Sequence, residues 1–512
     1  MHTIDYMLCG AYLVLIVGGG AWIGRGQRTA RDYFLAGGSA GLVLVGASLM
    51  ATMASSIGFL GGPAAGVQAG YRMLYSLVAI PIAYPIITRV VIPFYRRLQV
   101  YTVYEYIEER FDLSVRLLGS GLFIAWRITW MAVSLYVPAK VLAVATGGAV
   151  PAWVGVVGLG VLAASYTTVG GMRAVLWTDF AQALVMFGGI SVALYILRTH
   201  VPGGLMHLAA ADAPLRLPES AAASENGWLH RLIYNDFTVP AIIVAFTLDK
   251  LGYYGVDQMM VQRYLVARSE RVARTGFALN CLLFPLFFAL MISVGVALQS
   301  YRASAGLPAD IRPDAIFPYF ITHHMPPGAA GLLLAGLMAA AMSSIDSAVN
   351  ACNSAVMNDF YHRLRGGHAN LGAGTADMHG AHPLRLVRLS GVVVMLVAIA
   401  LGCVVGQLGD VFRLALALVN AFLGPLLAMF ILARWSARAH ARGVFWGVCL
   451  GVGLVAVVVL SEKLAALAGD NVLRRVFAVL DVGFLWTSAV GFLAALAPGW
   501  LLSLVLPRRR AA

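Results

Sequence analysis

Residues 337–350 read LMAAAMSSIDSAVN. They fall inside an apolar run, 328–358, long enough to cross a bilayer. Two adjacent serines, an aspartate and a third serine are out of place there, because an ionisable side chain in such a segment is costly and marks a functional site by default. In a helix, Ser343, Asp346 and Ser347 share one face at spacings of three and four, with Ser344 one position round. Hydroxyl and carboxylate oxygens are hard ligands that suit small hard cations such as sodium. No Cys or His accompanies them, which argues against a transition metal. Three serines alone are explained by hydrogen bonding between packed membrane helices. The aspartate tips the reading towards an ion or proton site.

The rest of the chain agrees with a membrane setting. Its 512 residues are 60% hydrophobic and only 12% charged, with a mean hydropathy of +0.82. Runs such as LCGAYLVLIVGGGAWIG (8–24) and WGVCLGVGLVAVVVL (446–460) have the length and polarity of spanning helices. The first lacks a basic n-region and a clear small-x-small cleavage site, so it reads as a retained helix. The five cysteines are scattered through apolar segments, without metal-ligand spacing or a disulfide framework.

Thirteen apolar spans are expected, near 5–24, 40–69, 71–95, 117–146, 151–168, 176–198, 236–255, 274–300, 328–358, 387–406, 411–433, 443–461 and 478–505. With the N-terminus outside, and with Arg72, Arg89, Arg198, Arg274 and Arg388 towards the span ends counted with the adjoining loops, the inner side holds 23 of the 36 Lys and Arg, the outer side 9, and the spans 4. That bias places the C-terminus in the cytoplasm and fits, together with the absence of targeting signals, a bacterial inner membrane. The net charge of +13 is therefore a topology signal, not a sign of nucleic-acid binding. QRYLVARSERVAR (262–274) is assigned to an inner segment. Long outer loops are expected at 199–235 and 301–327. An inner Gly/His/Ala-rich loop at 362–384 reads as a solvated linker, although its histidines and His362 are of a metal-binding type. Walker and GxGxxG motifs are absent, as is any nucleophile–base pair of suitable spacing, so an enzyme is not expected.

A partner for 337–350 stands in the second span, LVLVGASLMATMASSIGFLGGPAAGVQAG (42–70). It is rich in small and hydroxyl residues, as in an interrupted helix whose unwound carbonyls face an ion or solute. The alternative is a straight, tightly packed helix.

At this point the sequence resembles the sodium:solute symporter family over roughly 30–435. The stretches that carry it are DYFLAGGSAG and VGASLMATMASS (within 32–56), YTVYEYIEERF (101–111), YTTVGGMRAVLWTDFAQ (166–182), DQMMVQRYLVARS (257–269) and 331–361. YTVYEYIEERFDLSVRLLG and SLYVPAKVL look most like the iodide, monocarboxylate and multivitamin branch. The resemblance implies an all-α integral membrane protein with a leucine-transporter-like inverted repeat of five plus five helices. The division is then an extra N-terminal helix and inner loop (1–35), a first repeat (36–199), an outer loop (200–235), a second repeat (236–435) and two extra helices with a basic tail (436–512). The two repeat units start on opposite sides in the topology above, as an inverted repeat requires.

Carried over by matching position, the family's common sodium site is implied at Ala51, Ala54, Ala340, Ser343 and Ser344. A second cation site is implied at Asp179, Ser343, Asp346 and Ser347, with Asp346 in place of a hydroxyl. Sodium is then the coupling ion, with no organic cofactor. Positions that bind sugar in a galactose symporter hold Met53, Gly58, Leu77, Ile80 and Lys250 here, which disfavours a sugar. Ser55 matches a solute-contacting hydroxyl, Tyr253 an inner-gate tyrosine and Phe412 an outer-gate aromatic. Arg127 and Lys250 are intramembrane cations. They either capture an anionic solute or pair internally, Lys250 with Asp179 or Asp249. Lys140 and Arg413 are placed nearer the span ends, away from solute. The expected function is sodium-coupled import of a small solute, an organic anion such as a monocarboxylate. The alternatives are a neutral solute (an amino acid or sugar) or a proton-coupled carrier using Asp346.

Overall fold

The computed structural model describes residues 2–200, 238–305, 311–365, 384–408, 411–461 and 484–507, apart from Gly26, Arg28 and Gln99. For 30, 31, 200, 303–305 and 411–420 it gives the course of the helix alone. The described chain is helical, with a single isolated β-bridge between Ala40 and Ala267. In order, the helices are α1 (Thr3–Ile23), α2 (Ala30–Leu35), α3 (Leu42–Met53), α4 (Ser56–Ala69), α5 (Ala79–Ile86), α6 (Ile92–Leu98), α7 (Val103–Arg110), α8 (Leu113–Ala145) and α9 (Ala152–His200). There follow α10 (Val239–Val256), α11 (Gln258–Val266), α12 (Glu270–Ala305), α13 (Pro313–His323), α14 (Ala329–Ala355), α15 (Leu384–Val405), α16 (Val411–Trp435), α17 (Ala441–Val459) and α18 (Thr487–Val505). Among the described residues, ten helical runs are long and apolar enough to cross a membrane. Most of the loops expected at 199–235 and 362–384, with His368, His379 and His382, lie outside the described residues. The expected outer loop 301–327 contains α13.

Two runs are too long to be one crossing. α9 has 49 residues, about 73 Å if straight, against a hydrocarbon core of about 30 Å. It breaks at Gly171 (φ 51°, ψ −160°), between the spans expected at 151–168 and 176–198. A Cβ there would stand 2.7 Å from the Tyr33 carbonyl oxygen, so both the left-handed backbone and the close approach require glycine. The run from Ser56 to Leu98 turns in the same way at Gly70 (φ 57°, ψ −150°).

α14 is the axis of the bundle. Every residue from Leu333 to Ala355 is buried, whereas α1, α15 and α18 turn large apolar side chains outward, as lipid-facing helices do. Backbones approach closely where small residues meet. A Cβ on Gly295 of α12 would lie 2.1 Å from the Pro63 carbonyl oxygen of α4 and 2.8 Å from Gly66 Cα. The obstacle is backbone, so Gly295→Ala is expected to cost about 1–3 kcal/mol by overpacking. A lowered unfolding temperature of the detergent-solubilised protein checks this; an unchanged melt would contradict the close packing.

The first helix is bound to the axis. Asp5 Oδ1 accepts the amides of Gly328 (2.7 Å) and Gly331 (2.9 Å) at the start of α14. Cys9 Sγ donates to the Gly331 carbonyl at 3.3 Å.

At the other end of α14, Asp359 accepts from Thr102 (2.7 Å), Ser120 (2.7 Å) and the Arg116 guanidinium (2.7 and 2.9 Å). Glu108 bridges Arg116 to Arg363, each at 2.7 Å. In α7, outside the spans, Glu105 accepts the amides of Tyr101 and Thr102. Burial pushes its carboxyl up to about 7 from 4.5, with nearby Asp359 adding to the rise and Arg116 opposing it. An acid raised in this way favours the fold while protonated. That contribution is full below about 4.5 and is lost as pH climbs through about 7. Melting is therefore expected a few degrees higher at pH 6 than at pH 8. Glu105→Gln should narrow the gap by raising the pH 8 value; an unaltered gap would rule Glu105 out as its source.

Candidate ion and solute site

The second span is interrupted where its composition placed the break. α3 stops at Met53, Ala54 leaves helical geometry (φ −86°, ψ 68°), and Ser55 is extended (φ −72°, ψ 164°). Ser55 Oγ accepts the Gly58 amide at 3.3 Å and so caps α4. The last turn of α3 is thus left with carbonyls that no longer serve a continuing helix.

Those carbonyls meet the serines of α14. Ser343 Oγ donates to the Ala51 carbonyl at 3.0 Å and to its own helix at Ala340 at 3.2 Å. Ser344 Oγ donates to the Thr52 carbonyl at 3.2 Å. Ala51, Ala54, Ala340, Ser343 and Ser344 are all buried. The expected set is therefore brought to one place, with Thr52 as a member that sequence reasoning missed. The donors are neutral carbonyl and hydroxyl oxygens, the chemistry a small hard cation prefers.

The second expected cation set is not brought together in the same way. Asp179 and Ser347 are held by Arg263, a buried guanidinium on α11. Arg263 also donates Nε to Ser48 Oγ (2.8 Å) and Nη1 to the Met259 carbonyl (2.6 Å). Ser48 in turn donates to Asp179, and Thr52 Oγ1 lies 3.0 Å from Ser347 Oγ. Asp346 points to α9, where Tyr166 and Thr167 (2.6 Å) donate to its two carboxylate oxygens. Ser343 belongs to the first cluster. The four residues thus divide among three sets of partners.

Arg263 lies in the stretch 262–274 that the charge bias placed on the inner side; α11 is buried throughout, so Arg263 is a packed charge and not a solvated loop residue, a role that sequence reasoning missed. One charge among MMV and YLV, within two turns of an Asp257 cap, was the available signal. Asp257 accepts the Met259 amide at 3.0 Å and starts α11 after a second helix break at φ −80°, ψ 121°.

Asp257 also decides the fate of Arg127. The two form a buried ion pair, and the guanidinium lies over the Trp126 ring at 3.7 Å and near Tyr253 at 5.4 Å. Arg127 is a structural partner here, not an uncommitted cation for solute. Lys250 differs. It is buried, its ammonium lies 4.2 Å over the Phe284 ring, and among the described residues it has no ion pair within 4 Å. Asp249 next to it accepts from Ser488 at 2.9 Å. Met53 is half-buried and Gly58 is exposed. Tyr253 stacks obliquely on Trp126 at 5.5 Å. Phe412 and Arg413 lie in α16, and their side chains are outside the described residues.

A broken helix facing a serine-bearing buried helix is the arrangement the motifs implied, and residues 33–451 match the model of the family described as "Sodium:solute symporter family". The chain belongs to that family. As a sodium:solute symporter it is a multi-pass, all-α membrane carrier coupled to sodium, not an enzyme. It is 29% identical over 464 residues to the sodium/sialic acid symporter NanT of Aliivibrio fischeri, covering 88% of this chain and 87% of that one. It is 28% identical to the human sodium/iodide cotransporter, covering 90% and 70%. The solved structure of a Na+-coupled sialic acid symporter, in a substrate-bound outward-open state, superposes with a TM-score of 0.81 over 99% of each chain at 26% identity. The expected leaning to the iodide, monocarboxylate and multivitamin branch is thus not singled out, since sialic acid symporters match at least as well.

Proposed function

We propose that this symporter imports a small organic anion together with sodium, through an inverted repeat of five plus five helices within about thirteen spans. The reading places the repeats at 36–199 and 236–435, the N-terminus outside and the C-terminus inside a bacterial inner membrane. Sodium is held by the carbonyls of Ala51, Ala54 and Ala340 and the hydroxyls of Ser343 and Ser344. The carrying observation is that both serines of α14 reach carbonyls at the break of α3. An ion there ties α14 to the broken helix, and the tie is coupling if one conformation holds it better than the other. Each inward charge contributes about 2.3 kcal/mol per 100 mV.

Solute is read as lying beside the break, near Ser55, Met53 and Gly58, with Tyr253 and Phe412 as gates. The anionic character rests on Lys250, a buried cation with no ion pair within 4 Å among the described residues and an aromatic face beneath it. A carboxylate supplies the counter-charge. Sialic acid, which the relatives' names specify, is itself a carboxylate.

A second positive charge near Asp346 has separate support. Asp179, Asp346 and Arg263 are all buried; Arg263 pairs with Asp179, while Asp346 accepts from the Tyr166 and Thr167 hydroxyls and has no ion pair among the described residues. A further sodium ion or a proton on Asp346 would balance its carboxylate.

The test is uptake into proteoliposomes of lactate, sialate, proline and glucose, with and without a sodium gradient. Lactate or sialate uptake should need sodium, and Lys250→Gln should reduce it at least tenfold. Sodium-driven uptake of glucose or proline alone would overturn the anion reading. Uptake that tracks pH in sodium-free buffer would favour a proton at Asp346.

A further inference from the structure

A cavity of about 390 Å³ lies one turn beyond the helix break, walled by α4, α8 and α13. That volume is in the range of small-molecule sites. Its floor, Ile57 and Gly61, follows directly on Ser55. Its walls are mostly apolar, with Val137, Val141 and Pro318 among them. Charge enters at three points, Lys140, Arg312 and Asp314. Arg312 and Asp314 pair at 2.9 Å, so they neutralise one another. Lys140 is exposed and, among the described residues, has no hydrogen bond or ion pair. Among the described lining residues, Lys140 is therefore the charge without a counter-charge, set against an apolar wall. Tyr136 and Tyr319 also line it, and phenols hydrogen-bond carboxylate oxygens while their rings cover apolar groups.

The basic composition makes this lysine unusual. Of the 36 basic residues only three are lysines, Lys140, Lys250 and Lys463. Two of the three border the solute route, one in this cavity and one buried deeper beside Phe284.

We propose that this cavity is a binding station for a small organic anion, with Lys140 as its counter-charge, occupied before the solute passes the break to Ser55 and Lys250. The station rests on the reading of the transported solute as an organic anion. It departs from the expectation that Lys140 stands away from solute. Positive charge at a low-dielectric mouth raises local anion concentration and on-rate, an effect that weakens with salt.

Two measurements test it separately. In the first, purified protein is acylated with acetic anhydride and Lys140 modification is followed by peptide mass spectrometry. Benzoate or lactate at millimolar concentration should slow Lys140 acylation several-fold against equal chloride or glucose, and should still do so in Lys250→Gln. In the second, Lys140→Gln should raise the KM for sodium-driven lactate uptake about tenfold at low ionic strength, and Lys140→Arg should largely restore it. Unprotected Lys140 together with an unshifted KM overturns the station while lactate uptake by the parent keeps the anion reading intact. Protection of Lys140 in a protein that carries only neutral solutes supports the cavity as an anion site and overturns the transport reading instead.

Discussion

Arg263→Ala should remove most of the folded protein. The guanidinium satisfies Ser48, Asp179, Ser347 and the Met259 carbonyl from one buried position. Its loss strands the Asp179 carboxylate, which is itself fully buried. Deleting one member of a buried pair costs about 3–5 kcal/mol, against a total stability of about 5–15 kcal/mol. Size-exclusion of detergent extracts should show aggregate in place of a single symmetric peak, and what survives should melt well below the parent. Arg263→Lys should be intermediate, because a compact ammonium does not span the same fork of acceptors. Combining Arg263→Met with Asp179→Leu should recover part of the loss, since both charges then leave together. If Arg263→Ala melts within a degree of the parent, the pair holds nothing.

Ser343→Ala and Ser344→Ala should act on sodium and spare the fold. Each removes a hydroxyl hydrogen bond worth about 1 kcal/mol to stability. Each also removes an oxygen from the proposed ion shell, where interactions with a full charge contribute about 1.5–3 kcal/mol. Half-saturating sodium should therefore rise at least tenfold in each single variant, and sodium dependence should vanish in the double. Binding of radioactive sodium to the purified protein reads this directly. Sodium affinity equal to the parent's in both single variants would sink the assignment.

The helical membrane architecture was legible because apolar length and loop charge are one-dimensional signals. The α3–α4 break was legible for a similar reason, since small and hydroxyl residues cluster around Ala54 and Ser55. The meeting of Ser343 with Ala51 came from a family resemblance; nothing in spacing alone joins residues 292 apart. The role of Arg263 was missed because positive charge was counted as loop. A charge count cannot tell a snorkelling residue from one that meets its acid, Asp179, 84 positions earlier. Arg127 posed the same problem, and Asp257 settled it. Lys140 looked peripheral in sequence because position along a helix does not reveal that a helix within an expected loop, here α13, lines a space beside it.

The carboxylate of Asp5 gives the first helix a part in the working cycle. The opening amides of α14 are sealed by a group from another segment, so tilting or sliding α14 means either dragging α1 along or breaking those bonds. The N-terminal helix, outside the repeats in the proposed plan, is therefore expected to travel with the serine-bearing rod as one piece.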